Sequence, residues 1–312
     1  MAFRSMADGL IKKMPGYQRV YSRLQAHFES SPSNPYLRAA APGHFYSPIP
    51  DADYIRKHRA DLFARSRLTV PGVEINSEKQ IGLIEELASY YCQFPFTDEK
   101  QDKARYHFHN GYFEAGEAVV LYSIMRHFHP RRIVEVGSGF TSAAMLDIND
   151  LFLDGRILFT FIDPYPERLL TLLSEKDKQS TKVIVDLVQN SPDGIFADLD
   201  KNDILFLDSS HVAKIGSDVL YLLTEILPTL KAGVLVHIHD IYWPFEYPED
   251  WVLSGRAWNE AYLVKAFLQF NSSFEILVFN SYLSIHHKEL VQQYLPILSV
   301  HAGSSLWIRK TA

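Results

Sequence analysis

The chain has 312 residues, of which 47% are hydrophobic and 22% charged, a balance that suits one large soluble globular domain with an N-terminal addition. Its formal net charge of −6 gives no support to a nucleic-acid partner, which wants a basic surface. A single cysteine, Cys92, excludes an internal disulfide and a cysteine zinc site, and it fits a reducing compartment, so a cytoplasmic location is expected. No apolar run approaches the length of a membrane span, the start lacks the uninterrupted apolar core of a signal peptide, and no internal repeat or low-complexity tract is present.

In chain order, residues 1 to about 30 mix basic and apolar positions (Leu10, Ile11, Lys12, Lys13, Val20, Leu24). That is the pattern of a loosely attached terminal helix, or of one making peripheral contact with a membrane surface or a partner. Ser30 to Pro35 reads as a linker, and His44 to Pro50 as an extended segment whose aromatics should pack on something. From Ser77 to Tyr91 the residues Ile81, Leu83, Ile84, Leu87, Ala88 and Tyr91 have the spacing of one buried helical face. A second helix is predicted from Glu114 to His127 and leads straight into a strand ending at Val136. From there strands and helices alternate. Strands are predicted at 157–163, 183–188, 203–208, 233–239, 274–279 and 304–309, with helices at 141–150, 218–230 and 259–270. Such alternation predicts a doubly wound, mostly parallel α/β sheet of seven strands over residues 110–312, with a helical and irregular N-terminal extension over 1–109.

The chain is organised around Arg131 to Ser142. A β-branched run reaches Glu135, then Gly137 and Gly139, then a helix start rich in small residues. The glycines let the backbone turn tightly and approach a ligand. A dinucleotide loop cradles a pyrophosphate and wants a third glycine, whereas here Ser142 takes that place and Glu135 sets a carboxylate before the turn. A carboxylate there repels a diphosphate and suits a ligand carrying an ammonium and a sulfonium, as S-adenosylmethionine (AdoMet) does.

This acidic-x-Gly-x-Gly run resembles the first motif of the class I AdoMet-dependent methyltransferases, and the likeness covers about residues 110 to 310. The resemblance implies a Rossmann-like sheet whose last strand inserts antiparallel, with AdoMet held by Glu135, Gly137, Ser138, Gly139 and Ser142. It also implies that Asp163, after the second strand, accepts hydrogen bonds from the ribose hydroxyls. Gln189 and Asn190, after the third strand, are placed to reach the adenine.

After the fourth strand stands Asp208-Ser209-Ser210-His211, and after the fifth His237-Ile238-His239-Asp240. As neighbouring strands lie about 4.8 Å apart, Asp208 and Asp240 are expected in one cleft, where two carboxylates and an imidazole meet the needs of a divalent ion. The arrangement resembles the catechol-type and macrolide-sugar O-methyltransferases, which bind Mg²⁺ with carboxylates from these strand ends. In the sugar enzymes a histidine three residues beyond the first metal aspartate is the general base, and His211 stands at that place. The pair His239-Asp240 departs from the pattern, where those families have two oxygen ligands. Either a softer ion such as Mn²⁺, Fe²⁺ or Zn²⁺ is used, or His239 is not a ligand, or no metal binds. His237 reads as a packed core histidine.

The aromatic and proline-rich insertion Ile241 to Trp251 follows this site directly, so Tyr242, Trp243 and Trp251 are read as a substrate wall or lid, with Tyr112 facing them; Trp258, Asn259, Glu260, Asn110 and Phe113 would complete the pocket. The resulting expectation is an enzyme that methylates an oxygen of a small hydroxylated acceptor, a sugar or natural-product glycoside, with Asp208 and His211 catalytic. The rival readings are an NAD(P)-dependent oxidoreductase and a non-catalytic AdoMet-binding module.

Overall fold

The computed structural model describes residues 40–312 apart from 103 and 193. The terminal helix and the Ser30–Pro35 linker expected above lie outside the described residues. The chain divides into two compact units, Met1–Arg59 and Ala60–Ala312. In the first, Asp51 caps a helix at Ala52–Lys57 by accepting from the Asp53 and Tyr54 backbone N–H groups. The His44–Pro50 stretch is not extended. It folds into turns closed by Gly43 N–H on Ile49 O and Ser47 N–H on His44 O, and its aromatics Phe45 and Tyr46 stay exposed.

The second unit carries a seven-stranded sheet. Its strands are β1 (Arg132–Val136), β2 (Leu158–Ile162), β3 (Lys182–Ile184), β4 (Ile204–Leu207), β5 (Leu235–Ile238), β6 (Phe274–Phe279) and β7 (Leu306–Lys310), in the order β3-β2-β1-β4-β5-β7-β6. The first five are mutually parallel, and β7 runs antiparallel between β5 and β6. Strands β4 and β5 are buried at every position, as parallel strands covered on both faces must be. The fold is therefore the α/β, doubly wound, Rossmann-like sheet with a returning last strand that the alternation and the resemblance lead one to expect.

Helix α1 (Ser77–Leu87) packs on β6 and continues as a 3₁₀ turn over Ala88–Gln93. Helix α2 (Ala115–Phe128) is buried continuously from Ala115 to Met125, and α3 (Phe140–Phe152) follows β1 directly. Several elements differ from the sequence expectation. The third strand stops at Ile184, because Asp186 turns the chain by accepting from Leu187 N–H and Asn190 Nδ2. The helix expected at 218–230 is α-helical only to Tyr221, then π-helical to Ile226 and 3₁₀ over Leu227–Thr229, where Pro228 enters. Helix α4 (Glu260–Leu268) lies where expected. Between β6 and β7 stand three short helices, Asn280–His286, Lys288–Tyr294 and Pro296–Val300, which no periodicity announced.

One ion-pair cluster ties the segment before α2 to the sheet's helices. The Arg105 guanidinium bonds to Asp147 on α3 at 2.6 Å, to Asp177 at 2.7 and 2.9 Å and to Asp150 at 2.8 Å. Asp147 also accepts from the Arg105 and Tyr106 backbone N–H groups. Since Asp147 and Asp177 are buried, removing the arginine strands two carboxylates without a cation. Arg105→Ala is expected to cost about 3–5 kcal/mol of stability. Denaturant unfolding that shows a loss under 1 kcal/mol would reduce the cluster to a surface ornament.

Candidate active site

The site is built at the carboxyl edge of the sheet. Gly137 ends β1 with φ +81°, and a Cβ there would lie 2.0 Å from the Asp208 carbonyl oxygen. Only glycine lets the β1 turn press against the chain leaving β4. Asp208 N–H donates to Val136 O and His239 N–H donates to Leu207 O, so Asp208 and His239 continue the ladder one residue past β4 and β5. Two neighbours, His211 and Asp240, hold left-handed backbone with φ of +59° and +57°. Non-glycine residues are rarely found there, and such strain persists where surrounding structure enforces it, most often at functional sites.

The side chains converge. His211 Nε2 lies 3.5 Å from Asp208 Oδ1 and 3.5 Å from Asp240 Oδ2, while its Nδ1 is held at 2.8 Å by Glu260 at the start of α4. Glu260 is itself buried and accepts from Ser209 Oγ. His239 Nδ1 lies 3.4 Å from Asp208 Oδ1 and 3.5 Å from Asp240 Oδ1, and its Nε2 lies 3.2 Å from Glu117 Oε1. Burial opposes charging either ring, but the hydrogen bonds to Asp208 and Glu260 and the charges of Glu260 and Asp240 push His211 up to about 10. The charges of Asp240, Glu117 and Asp208 likewise hold His239 well above its ordinary value. Asp208 and Asp240 are depressed in return: burial would raise them, and the nearby His239 and His211 charges override it. His237 is a core residue, with Nε2 on Ser305 Oγ at 2.8 Å and its ring stacked on Phe206. Burial, then the His239 charge, keeps it well below its usual range.

The predicted ligand-loop residues are arranged unevenly. Ser138 Oγ donates to Asp163 Oδ2 at 2.6 Å, and Gly139 N–H donates to Ser142 Oγ. Glu135 is not open to the cleft. It is fully buried and takes hydrogen bonds from the Thr141 and Ser142 hydroxyls, so it braces the first turn of α3 from within. Gln189 Nε2 donates to Gly216 O and Asn190 Nδ2 to Asp186, while Gln189 Oε1 is buried without a hydrogen-bond partner.

Two cavities meet over this edge. One, of about 380 Å³, is lined by Ser138, Gly139, Arg168, Asp208 and His211; the other, of about 880 Å³, by Phe108, Glu114, Tyr242 and the Pro296–Val300 helix. Tyr112, His239, Asp240 and Trp251 line both. Trp243 does not belong to the wall predicted for it: it is wholly buried, donates Nε1–H to Arg67 O at 2.7 Å and packs on Phe279 and Tyr282. Aromatic density alone could not tell which ring of the insertion faces inward. Sequence reading also missed Glu117, an acidic residue in the first turn of a mostly apolar helix, and Arg168, whose guanidinium stacks 3.6 Å over Tyr112.

Residues 134–241 match the family described as Methyltransferase domain. The chain resembles the class I AdoMet-dependent methyltransferases. An uncharacterized protein of Archaeoglobus fulgidus is 39% identical over 132 residues, which is 41% of this chain and 60% of that protein's length. The chain thus spans about three fifths of that relative. Among solved structures, an SAH-bound methyltransferase of Podospora anserina, PaMTH1, is 13% identical with a TM-score of 0.41, over 84% of this chain and 95% of that one. The O-methyltransferase TomG of Streptomyces achromogenes, solved with SAM, is also 13% identical with a TM-score of 0.41, over 83% and 96%. Likeness at that level carries no argument about chemistry. Among the described residues no helix is long and apolar enough to cross a membrane.

Burial pushes the Glu135 carboxyl up to about 8, against the pull of the Ser142 and Thr141 hydroxyls. A carboxyl that holds its proton more tightly folded than unfolded takes stability away as pH rises from its unfolded value, about 4.5, through about 8. Thermal melts of Glu135→Gln are expected to lose less stability than the wild type across that window. Parallel pH curves for the two proteins would mean that Glu135 is ionised throughout.

Proposed function

We propose that the protein is an AdoMet-dependent methyltransferase that acts on an oxygen of a small hydroxylated acceptor, a sugar or natural-product glycoside. The observation that carries this reading is the junction of the two cavities at His239 and Asp240, beside the Asp208–His211 pair and the glycine turn. The smaller cavity, over Gly139 and next to Asp163, suits the donor, and the larger one suits the acceptor. AdoMet, when bound, supplies the methyl group from its sulfonium to the acceptor oxygen.

The chain's own residues then have separable tasks. Asp163 accepts hydrogen bonds from the ribose hydroxyls. Tyr112, Tyr242 and Trp251 enclose the acceptor and exclude water, and holding the two reactants in line supplies much of the rate. His211 takes the acceptor's hydroxyl proton at Nε2, with Glu260 fixing the ring at Nδ1. A proton acceptor must first be neutral, and the carboxylates around His211 favour its charged form. A cation among them removes that preference. Asp208, His211 and His239 offer ligand atoms within 4.8 Å of one another, and Asp240 reaches both rings at 3.5 Å. Because both ring nitrogens of His239 are buried without a hydrogen bond, Asp208, His239 and Asp240 fit one. A divalent ion there would lower the acceptor's pKa and orient its oxygen.

Calorimetry with AdoMet, and with NADH as the control, tests the donor half. Asp163→Ala is expected to weaken AdoMet binding about tenfold or more, the equivalent of about 1.5–3 kcal/mol. Tight binding of NADH instead of AdoMet would return the oxidoreductase reading. For the acceptor half, His211→Ala is expected to lower kcat by about 10²–10⁴ while AdoMet affinity holds. Trp251→Ala should raise the acceptor's KM with little change in melting temperature. Trp243→Ala should instead cost about 3–5 kcal/mol of stability, since it empties a core position. A Trp251→Ala enzyme with unaltered KM removes that ring from the acceptor wall.

A further inference from the structure

His239 is 93% buried by its side chain's 7% exposure, and among the described residues both its ring nitrogens lack a hydrogen-bond partner. Such a ring is normally satisfied. Its nitrogens are nonetheless close to three carboxylates: Nδ1 to Asp208 and Asp240 at 3.4 and 3.5 Å, Nε2 to Glu117 at 3.2 Å. Two ligand atoms each about 2.1 Å from one small ion, at a tetrahedral angle, lie about 3.4 Å apart. Spacings of 3.4 and 3.5 Å between Nδ1 and the two aspartate oxygens are therefore those of ligands around a common ion rather than of hydrogen bonds.

The far side of the ring is built just as specifically. Glu117 comes from the first turn of α2, and its side chain is 2% exposed. Its Oε1 accepts from Ser304 N–H at 2.9 Å and Ser305 Oγ at 3.2 Å, and Oε2 accepts from Glu114 N–H at 3.0 Å. Gly303, at φ +64°, makes room for it, since a Cβ there would come within 2.0 Å of Glu117 Cγ. Ser304 Oγ also donates to Asp240 at 2.8 Å, so the glutamate and the aspartate are fixed by the same residue. A histidine with a carboxylate behind one nitrogen and aspartates before the other is the arrangement by which proteins orient an imidazole on a metal.

We infer that His239, positioned by Glu117, is a nitrogen ligand in a cation site completed by Asp208 and Asp240, and that the site takes an imidazole-binding ion of the Mn²⁺, Fe²⁺, Co²⁺ or Zn²⁺ class rather than Mg²⁺. The inference deepens the proposed function by giving its cation an identity, and rests on that reading only for the ion's catalytic use. Mg²⁺ keeps several waters and prefers an all-oxygen octahedron, so a buried nitrogen ligand works against it. Imidazole suits the later ions. Glu117 lines the larger cavity, but it acts on the ion through His239 and is a positioning residue. His211 Nε2 stands equally near, at 3.5 Å from Asp208 Oδ1 and from Asp240 Oδ2. Its ring is engaged at Nδ1 by Glu260, however, and its Nε2 is the proton acceptor of the proposed reaction, so the ligand role goes to His239, whose two nitrogens lack a hydrogen bond.

The test uses the full chain with Mn²⁺ alone, without AdoMet or acceptor. Electron spin-echo envelope modulation of the Mn²⁺-loaded protein is expected to show imidazole ¹⁴N coupling. The coupling should vanish in His239→Asn and persist in His211→Ala. Glu117→Gln should keep the coupling and weaken Mn²⁺ binding about 10–100-fold. A tenfold excess of Mg²⁺ should leave the Mn²⁺ signal in place. The wild-type spectrum decides ligation even if a variant fails to fold. Absence of stoichiometric Mn²⁺ binding, absence of ¹⁴N coupling, coupling lost with His211 instead of His239, undiminished affinity in Glu117→Gln, or displacement by Mg²⁺ each overturns the proposal. Because no methyl transfer is measured, a protein that binds Mn²⁺ through His239 but methylates nothing refutes the function and leaves the site standing.

Discussion

The carboxyl edge of this sheet depends on one backbone contact, the approach of Gly137 to the Asp208 carbonyl. It sets the turn after β1 against the exit of β4, and so brings the start of α3 and the polar cluster to the same rim. A side chain at 137 would drive the two apart, since the atom it meets is main chain and cannot rotate away. The burial of β4 and β5 on both faces then fixes the depth at which Asp208 and His239 emerge.

Around that contact the protein gathers charge that, among the described residues, no guanidinium or ammonium meets at ion-pair distance, although Arg168 and Arg256 line the same cavity. Asp208, Asp240, Glu117 and Glu260 surround His211 and His239, and among the described residues these imidazoles are the cationic groups paired with them. This differs from the Arg105 cluster on the same domain, where a permanently charged guanidinium satisfies three aspartates. The first arrangement can exchange protons or ions, and the second can only hold. That contrast is why the two acidic clusters support different readings.

The strands were legible because apolar runs of four to six residues bounded by Gly, Pro and Asp have few other ways to fold. Asp208, His211, His239 and Asp240 were legible for a related reason: in an open α/β sheet, whatever follows a strand faces the ligand edge. The sequence failed where direction matters more than position. Glu135 stands at the expected place but turns inward to the Thr141 and Ser142 hydroxyls, and Trp243 faces the core although Trp251, eight residues on, faces the cavity. Glu117 was invisible for another reason. Its partners Ser304 and Ser305 lie nearly two hundred residues away, and no local pattern records such a meeting.

The larger cavity borrows one of its walls from the short helix Pro296–Val300, in the segment between β6 and β7. That segment carries none of the glycine turn, the strand-end acids or the two histidines. Its apolar side chains Ile297 and Val300 can change size without touching the glycine turn or the charge cluster. The shape of the larger cavity is thus set apart, residue by residue, from the charge cluster beside it.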